Sequence, residues 1–226
     1  MNPFAFDPLI PIPQMSEVDS FRNGAKDHAK EVDQWLGFRI AETEEVIRLE
    51  KNSAALNEKE TWNHISPQIF QTSYIELRLI LESLAAIYQK KPLRIRDLGA
   101  AYFRIEFVNK LVFNGEFQIM GFEVCAQRVV ESQRVFKEFF KTELNSLFTA
   151  DITNPDFELP QSDVFFIYDF GTTHDIETIF QKLIRVKEPY SIVVRGARVQ
   201  SVLSAQFKSR FKMISQNQNF GIWNFK

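Results

Sequence analysis

From Leu93 onward the chain alternates three times between a short β-branched or aromatic run and a longer amphipathic one, and this alternation restricts the fold more than any other feature. LRIRD leads through LGAAYF into RIEFVNKLVF, FQIMGFE leads into VCAQRVVESQRVFKEFFK, and DVFFIYD leads into HDIETIFQKLIR. A strand that hands over to a helix cannot pair with the next strand as a hairpin. The helix carries the chain back along the sheet, so successive strands lie parallel and are covered on both faces. A further short strand is expected near SLFTA, and the β-branched run YSIVVRG adds another. The chain closes with FKMIS and GIWNF around a polar QNQN turn, which reads as an antiparallel hairpin. The expectation is an α/β domain with a mainly parallel twisted sheet, helices on both faces and a C-terminal antiparallel hairpin. The 23 phenylalanines against 8 glycines agree with it, because large rings need apolar volume between layers.

The residues before this alternation read differently. Pro3, Pro8, Pro11 and Pro13 remove backbone donors and fix φ, so residues 1–15 are expected as an extended arm that packs through Phe4, Phe6, Leu9 and Ile10. Ser16 with Asp19 resembles a capping box, and Val18, Phe21, Ala25, Ala29, Val32 and Leu36 recur at helical spacing. A second helix is expected over residues 38–51. The 1–66 segment carries 12 acidic and 7 basic residues and is read as an N-terminal arm with a helical extension, a lid or brace. Ser73 and Glu76 form a better capping box, opening a helix over YIELRLILESLAAIYQ that Pro92 ends. The domain proper is expected over residues 67–226.

Charge and cysteine content exclude several classes. A net charge of −2 and a pI near 6.0 give no global attraction to nucleic acid or anionic lipid. Cys125 is the single cysteine, and His28, His64 and His174 are scattered, so neither an internal disulfide nor a metal site is expected. The proline-interrupted start lacks the basic region of a signal peptide, and no apolar run reaches the roughly 20 residues of a membrane span. A cytoplasmic protein is expected. One local asymmetry stands out: residues 185–226 hold eight Lys or Arg against Glu188 alone. An RNA backbone or an acidic partner could dock there, but charge balance with the acidic N-terminal segment is the favoured explanation.

In open α/β sheets, ligands sit beyond the carboxyl ends of the strands, so the strand-to-helix loops are where chemistry is expected. The first of these, Asp97-Leu98-Gly99-Ala100-Ala101-Tyr102-Phe103-Arg104, resembles the D-L-G-x-G-x-G signature of class I S-adenosylmethionine-dependent methyltransferases. Asp97 and Gly99 match it; Ala101 and Phe103 stand where the second and third glycines would be. Glu123 ends the second strand, where nucleotide-binding Rossmann-type folds place a carboxylate on ribose hydroxyls. The loop does not supply the G-x-G-x-x-G of a dinucleotide fold, which sets a nicotinamide-dependent reductase well below the methyltransferase reading. Asp151 resembles the family's adenine-contacting acid, and Tyr168-Asp169-Phe170 falls where the family places substrate-side residues. Upstream, Tyr74 and Glu76 look like the entry segment of non-SET protein-lysine methyltransferases.

The resemblance covers residues 67–226 and implies a Rossmann-like methyltransferase fold with S-adenosylmethionine as cofactor. It implies Glu76, Asp97, Gly99, Ala101, Phe103, Glu123 and Asp151 on the cofactor. Tyr74, Tyr168 and Asp169 would stand at the reaction centre, with a protein or other macromolecule as methyl acceptor. Each residue also has an ordinary reading: Asp97 as a loop cap, Glu123 as a strand-end charge, Asp151 in the turn before Asn154-Pro155, the aromatics as packing. Ala101 and Phe103 motivate the alternative, an inactive pseudo-methyltransferase used for binding or scaffolding, in which the Phe103 ring projects into the cofactor volume.

Overall fold

The computed structural model describes residues 4–15, 21–53, 71–89 and 92–226. Helices α1 (Phe21–Leu36), α2 (Ile40–Ser53) and α3 (Tyr74–Ile87) precede the sheet. Then come β1 (Arg94–Leu98), α4 (Arg104–Phe113), β2 (Gln118–Glu123), α5 (Ala126–Phe140), β3 (Leu147–Thr149), β4 (Val164–Tyr168), α6 (Thr173–Leu183) and β5 (Ser191–Arg195). After α7 (Ala197–Val202) the chain ends in β6 (Phe211–Gln216) and β7 (Phe220–Phe225). The expected Ser16–Asp19 cap, His64 and the boundary at residue 66 lie outside the described residues.

The seven strands are ordered β3-β2-β1-β4-β5-β7-β6. β1 to β5 are parallel, and β7 joins β5 antiparallel before pairing with β6 as the closing hairpin. This is the mainly parallel sheet with a closing hairpin expected from the alternation, in the Rossmann-like form that the resemblance implied. Strand order reverses between β1 and β4, so the crevice of an open α/β sheet falls at their carboxyl ends.

Side chains alternate across the strands and build two cores. Ile95, Val164, Phe166, Val193 and Ile222 face one side, where α1 and α3 to α5 pack. Leu98, Phe165, Ile167, Ile192 and Val194 face the other, under α6 and α7. The phenylalanines fill both layers: Phe107, Phe136 and Phe140 meet on the first face, and Phe180, Phe207 and Phe211 on the second. The N-terminal extension belongs to the first core, since Ile12, Ala25, Ala29, Val32, Leu36 and Phe38 are buried in it.

Two local readings change. The Ser73–Glu76 capping box is half formed: the Ser73 hydroxyl accepts the Glu76 N–H at 3.4 Å, but the Glu76 carboxylate turns to Arg195. Between β5 and the hairpin, α7 continues through a π-turn (Leu203–Phe207) and a 3₁₀ turn (Lys208–Arg210). No helix was expected there, although Val199, Val202, Leu203 and Phe207 carry the buried spacing that signals one.

Candidate functional site

The loop between β1 and α4 is shaped by backbone torsion before any side chain acts. Gly99, Ala101 and Phe103 have φ of 92°, 49° and 54°, so all three positions of the glycine frame lie in the left-handed half of conformational space. For an L-residue that conformation costs about 1–2 kcal/mol. Two contacts hold it. Glu123 Oε2 accepts the Ala101 N–H at 2.8 Å, and the Gly99 and Ala100 amides donate to the Phe122 carbonyl at 3.0 and 2.9 Å. The Phe103 ring is fully buried over Gly121 of β2.

This loop forms the floor of a cavity at the β1/β4 reversal. Asp97, Gly99 and Ala101 line it from β1 and its loop, Glu123 from β2, Asp151 from beyond β3, Tyr168 from the end of β4 and Asp169 from just beyond it. Seven of the ten residues singled out in the sequence therefore meet around one space. Tyr74, Glu76 and Phe103 are not among its lining residues. The ring of Phe103 points into the first core, which corrects the expectation that it projects into the cofactor volume; β2 presents Gly121 there, and the ring takes the room that a Cβ would occupy.

Tyr74 donates its hydroxyl to Asp33 Oδ1 at 2.7 Å, and the Arg104 guanidinium stacks over its ring at 5.1 Å. Arg104 in turn pairs with Asp33 of α1 through both Nε and Nη2. Glu76 accepts two hydrogen bonds from Arg195, at 2.6 and 2.8 Å, and Arg195 lies 4.5 Å over the Tyr168 ring. Tyr74 and Glu76 thus act behind the cavity: one fixes Arg104, the other fixes the arginine under which Tyr168 is held.

The cavity acids differ in how they are engaged. Asp169 caps α7, accepting the Arg198 and Val199 N–H groups at 3.1 and 2.7 Å. Asp151 accepts from the Thr153 N–H and hydroxyl at 2.9 and 2.6 Å, the turn role that its neighbours Asn154 and Pro155 suggested. Glu123 also accepts the Cys125 N–H at 3.0 Å. Asp97 is buried beside Glu123, and burial first, then the Glu123 charge, pushes its carboxyl up to about 8. Among the described residues, Asp175, in the capping box of α6, completes five lining acids against two arginines, Arg104 and Arg128. Both arginines pair with acids of the N-terminal helices, Asp33 and Glu44.

Sequence reasoning missed Gln71. Its side chain is buried on the cavity wall, and neither its carboxamide oxygen nor its nitrogen has a hydrogen-bond partner among the described residues. No periodicity or motif distinguishes such a glutamine in the sequence. Among the described residues no group of His, Cys, Asp and Glu is placed to hold a metal ion, and no helix is long and apolar enough to cross a membrane. The basic stretch is dispersed: Arg195 is engaged by Glu76, while Arg185, Lys187, Lys208, Arg210 and Lys212 are exposed on several elements.

Fold and cavity together define a Rossmann-like α/β domain with a carboxylate-lined crevice at its switch point, the place where such sheets take ligands. No family model matches the chain, and no curated protein sequence does. Among solved structures it is similar to magnesium protoporphyrin IX methyltransferase from Synechocystis PCC 6803 with bound SAM, at TM-score 0.48 and 11% identity, over 80% of this chain and 95% of that one. TrmN from Thermus thermophilus is similar at TM-score 0.48 and 11% identity, over 68% of this chain; the match spans about half, 48%, of TrmN. A SAM-dependent methyltransferase from Aquifex aeolicus is similar at TM-score 0.42 and 9% identity, over 68% and 98%.

Proposed function

We propose that the cavity binds S-adenosylmethionine and that the protein transfers its methyl group to a protein side chain or another macromolecular acceptor. The observation that carries this reading is the meeting of Asp97 and Glu123, from adjacent parallel strands, across a loop whose three glycine-frame positions all keep left-handed φ.

The residues fit such a ligand. Besides Asp97, which burial keeps protonated below about pH 8, the described lining holds four acids against two already paired arginines, which makes the cavity favourable to a cation, and a sulfonium with an α-ammonium group is one. The Glu123 carboxylate stands at a strand end, where ribose hydroxyls donate in nucleotide-binding sheets. Phe122, Phe166, Tyr168 and Phe170 give apolar walls for a flat base. The Gln71 carboxamide, which has no hydrogen-bond partner among the described residues, offers an NH2 donor group and an acceptor oxygen, and leaving both unpaired in a buried site is costly. Bound there, the cofactor would supply an electrophilic methyl group. The chain's own part is positioning: Glu123 and Asp97 hold the polar end, and Arg195 keeps Tyr168 in place beside the acceptor's path.

A specific observation favours a second reading, in which the pocket binds the same ligand without transferring a methyl group. Of the three candidate reaction-centre residues, Tyr74 is buried on Asp33, Asp169 caps α7 and Tyr168 is held against Arg195. A co-crystal with S-adenosylhomocysteine tests the binding claim shared by both readings, which predicts the adenosyl group between Glu123 and Asp151. Ligand density elsewhere, or none at saturating concentration, overturns it. Radiolabelled methyl transfer to a peptide and RNA library then separates the two.

A further inference from the structure

Among the described residues, the N-terminal extension meets the cavity lining through two acids, Asp33 on Arg104 and Glu44 on Arg128. Glu44 of α2 takes the Arg128 guanidinium in a two-pronged pair, Nε to Oε1 at 2.9 Å and Nη2 to Oε2 at 3.1 Å. The Tyr102 hydroxyl donates to the same Glu44 Oε1 at 2.9 Å. Arg128 and Tyr102 line the cavity, whereas Glu44 does not. The third arm of Arg128, Nη1, reaches Glu123 Oε1 at a long 3.4 Å.

Of Glu44 and Glu123, the first holds Arg128 by two short hydrogen bonds and the second by one long one, so the balance between them favours Glu44. A carboxylate offers about four lone-pair sites. On Glu123 the Ala101 and Cys125 amides take two of them, and Arg128 only grazes a third. If Glu44 were lost, the fork-shaped guanidinium would keep Glu123 as its nearest cavity acid. A two-pronged, charge-assisted pair there would fill the remaining sites.

We propose that Glu44 is a positioning residue for the cavity: by holding Arg128 back, it keeps Glu123 able to accept hydrogen bonds from a ligand's vicinal hydroxyls. The extension is then part of the ligand site although its helix lies on the far side of Arg128. This rests on the adenosyl-binding reading above, but it makes a structural claim of its own.

The test compares wild type, Glu44→Gln, Arg128→Met and the double variant Glu44→Gln/Arg128→Met. Each is titrated with S-adenosylhomocysteine, and Glu44→Gln is also crystallised without ligand. Glu44→Gln is expected to bind about tenfold more weakly, the scale of one lost charge-assisted hydrogen bond. The double variant should recover most of that loss, because the competing cation is gone. A merely structural role for Glu44 predicts no recovery, since the double variant removes still more of the α2 contact. The ligand-free crystal of Glu44→Gln should show Arg128 turned onto Glu123 with two bonds. Equal affinity of Glu44→Gln and wild type, or Arg128 unmoved in that crystal, overturns the proposal. If wild type binds no ligand at all, the adenosyl reading falls, and the position of Arg128 in the crystal still decides this one.

Discussion

A Cβ added to Gly121 would stand 2.5 Å from Cε2 of Phe103, so the ring and the glycine share one volume between β2 and α4. Phe103→Ala should empty that volume and destabilise the fold by about 3–5 kcal/mol. Gly121→Ala should also destabilise it, because the ring cannot retreat from a filled core. Urea denaturation followed by circular dichroism checks both. Phe103→Gly is expected to weaken ligand binding through loss of the loop, not to create it.

Ala101 holds φ of 49° without a glycine's freedom. Ala101→Gly should relieve backbone strain worth about 1 kcal/mol, offset in part by the entropy of a more flexible unfolded chain. The expected outcome is stability unchanged or slightly raised, with ligand affinity retained. Loss of more than about 1 kcal/mol would mean that the loop is not strained as its torsion indicates.

Asp97 sets a pH dependence whose sign follows from its environment. Burial, then the Glu123 charge, raises its folded value to about 8, whereas an unfolded aspartate titrates near 3.9. Between those values the native state holds a proton that the unfolded state has released. Stability therefore falls as pH rises through this window, and Asp97→Asn should remove that slope. A cationic ligand favours the ionised carboxylate, so affinity for it should rise toward pH 8 in wild type and flatten in Asp97→Asn. Denaturation and binding measured from pH 5 to about 9 test both effects.

Glu76 and Arg195 join α3 to β5 across the edge of the cavity, with side chains 6% and 19% exposed. Glu76→Ala leaves Arg195 without this acid and should cost about 3 kcal/mol. It should also loosen Tyr168, which a change in tyrosine fluorescence or hydrogen exchange along β4 would report. Glu76→Gln, which keeps one acceptor, should recover part of the loss.

The parallel strand–helix alternation and the convergence of the strand-end loops at one edge were legible because both follow from local rules. Apolar runs such as VFFIY and SIVVR have the length and β-branched content of buried parallel strands, and loops after parallel strands converge at one edge. What could not be read depends on pairings far apart in sequence. Tyr74 and Glu76 resembled site residues, but their partners Asp33 and Arg195 lie 41 and 119 residues away. The fate of Phe103 turned on Gly121, a glycine that looked like any other in a strand. Gln71 and Glu44 carry no pattern at all; only the fold brings them to the cavity and to Arg128.

The central claim is tested most directly by isothermal titration of S-adenosylhomocysteine into wild type and Glu123→Ala. Saturable binding of one ligand per chain, lost or severely weakened in Glu123→Ala, is the predicted result. No heat of binding at millimolar ligand, or equal affinity in the two proteins, would contradict the assignment of this cavity.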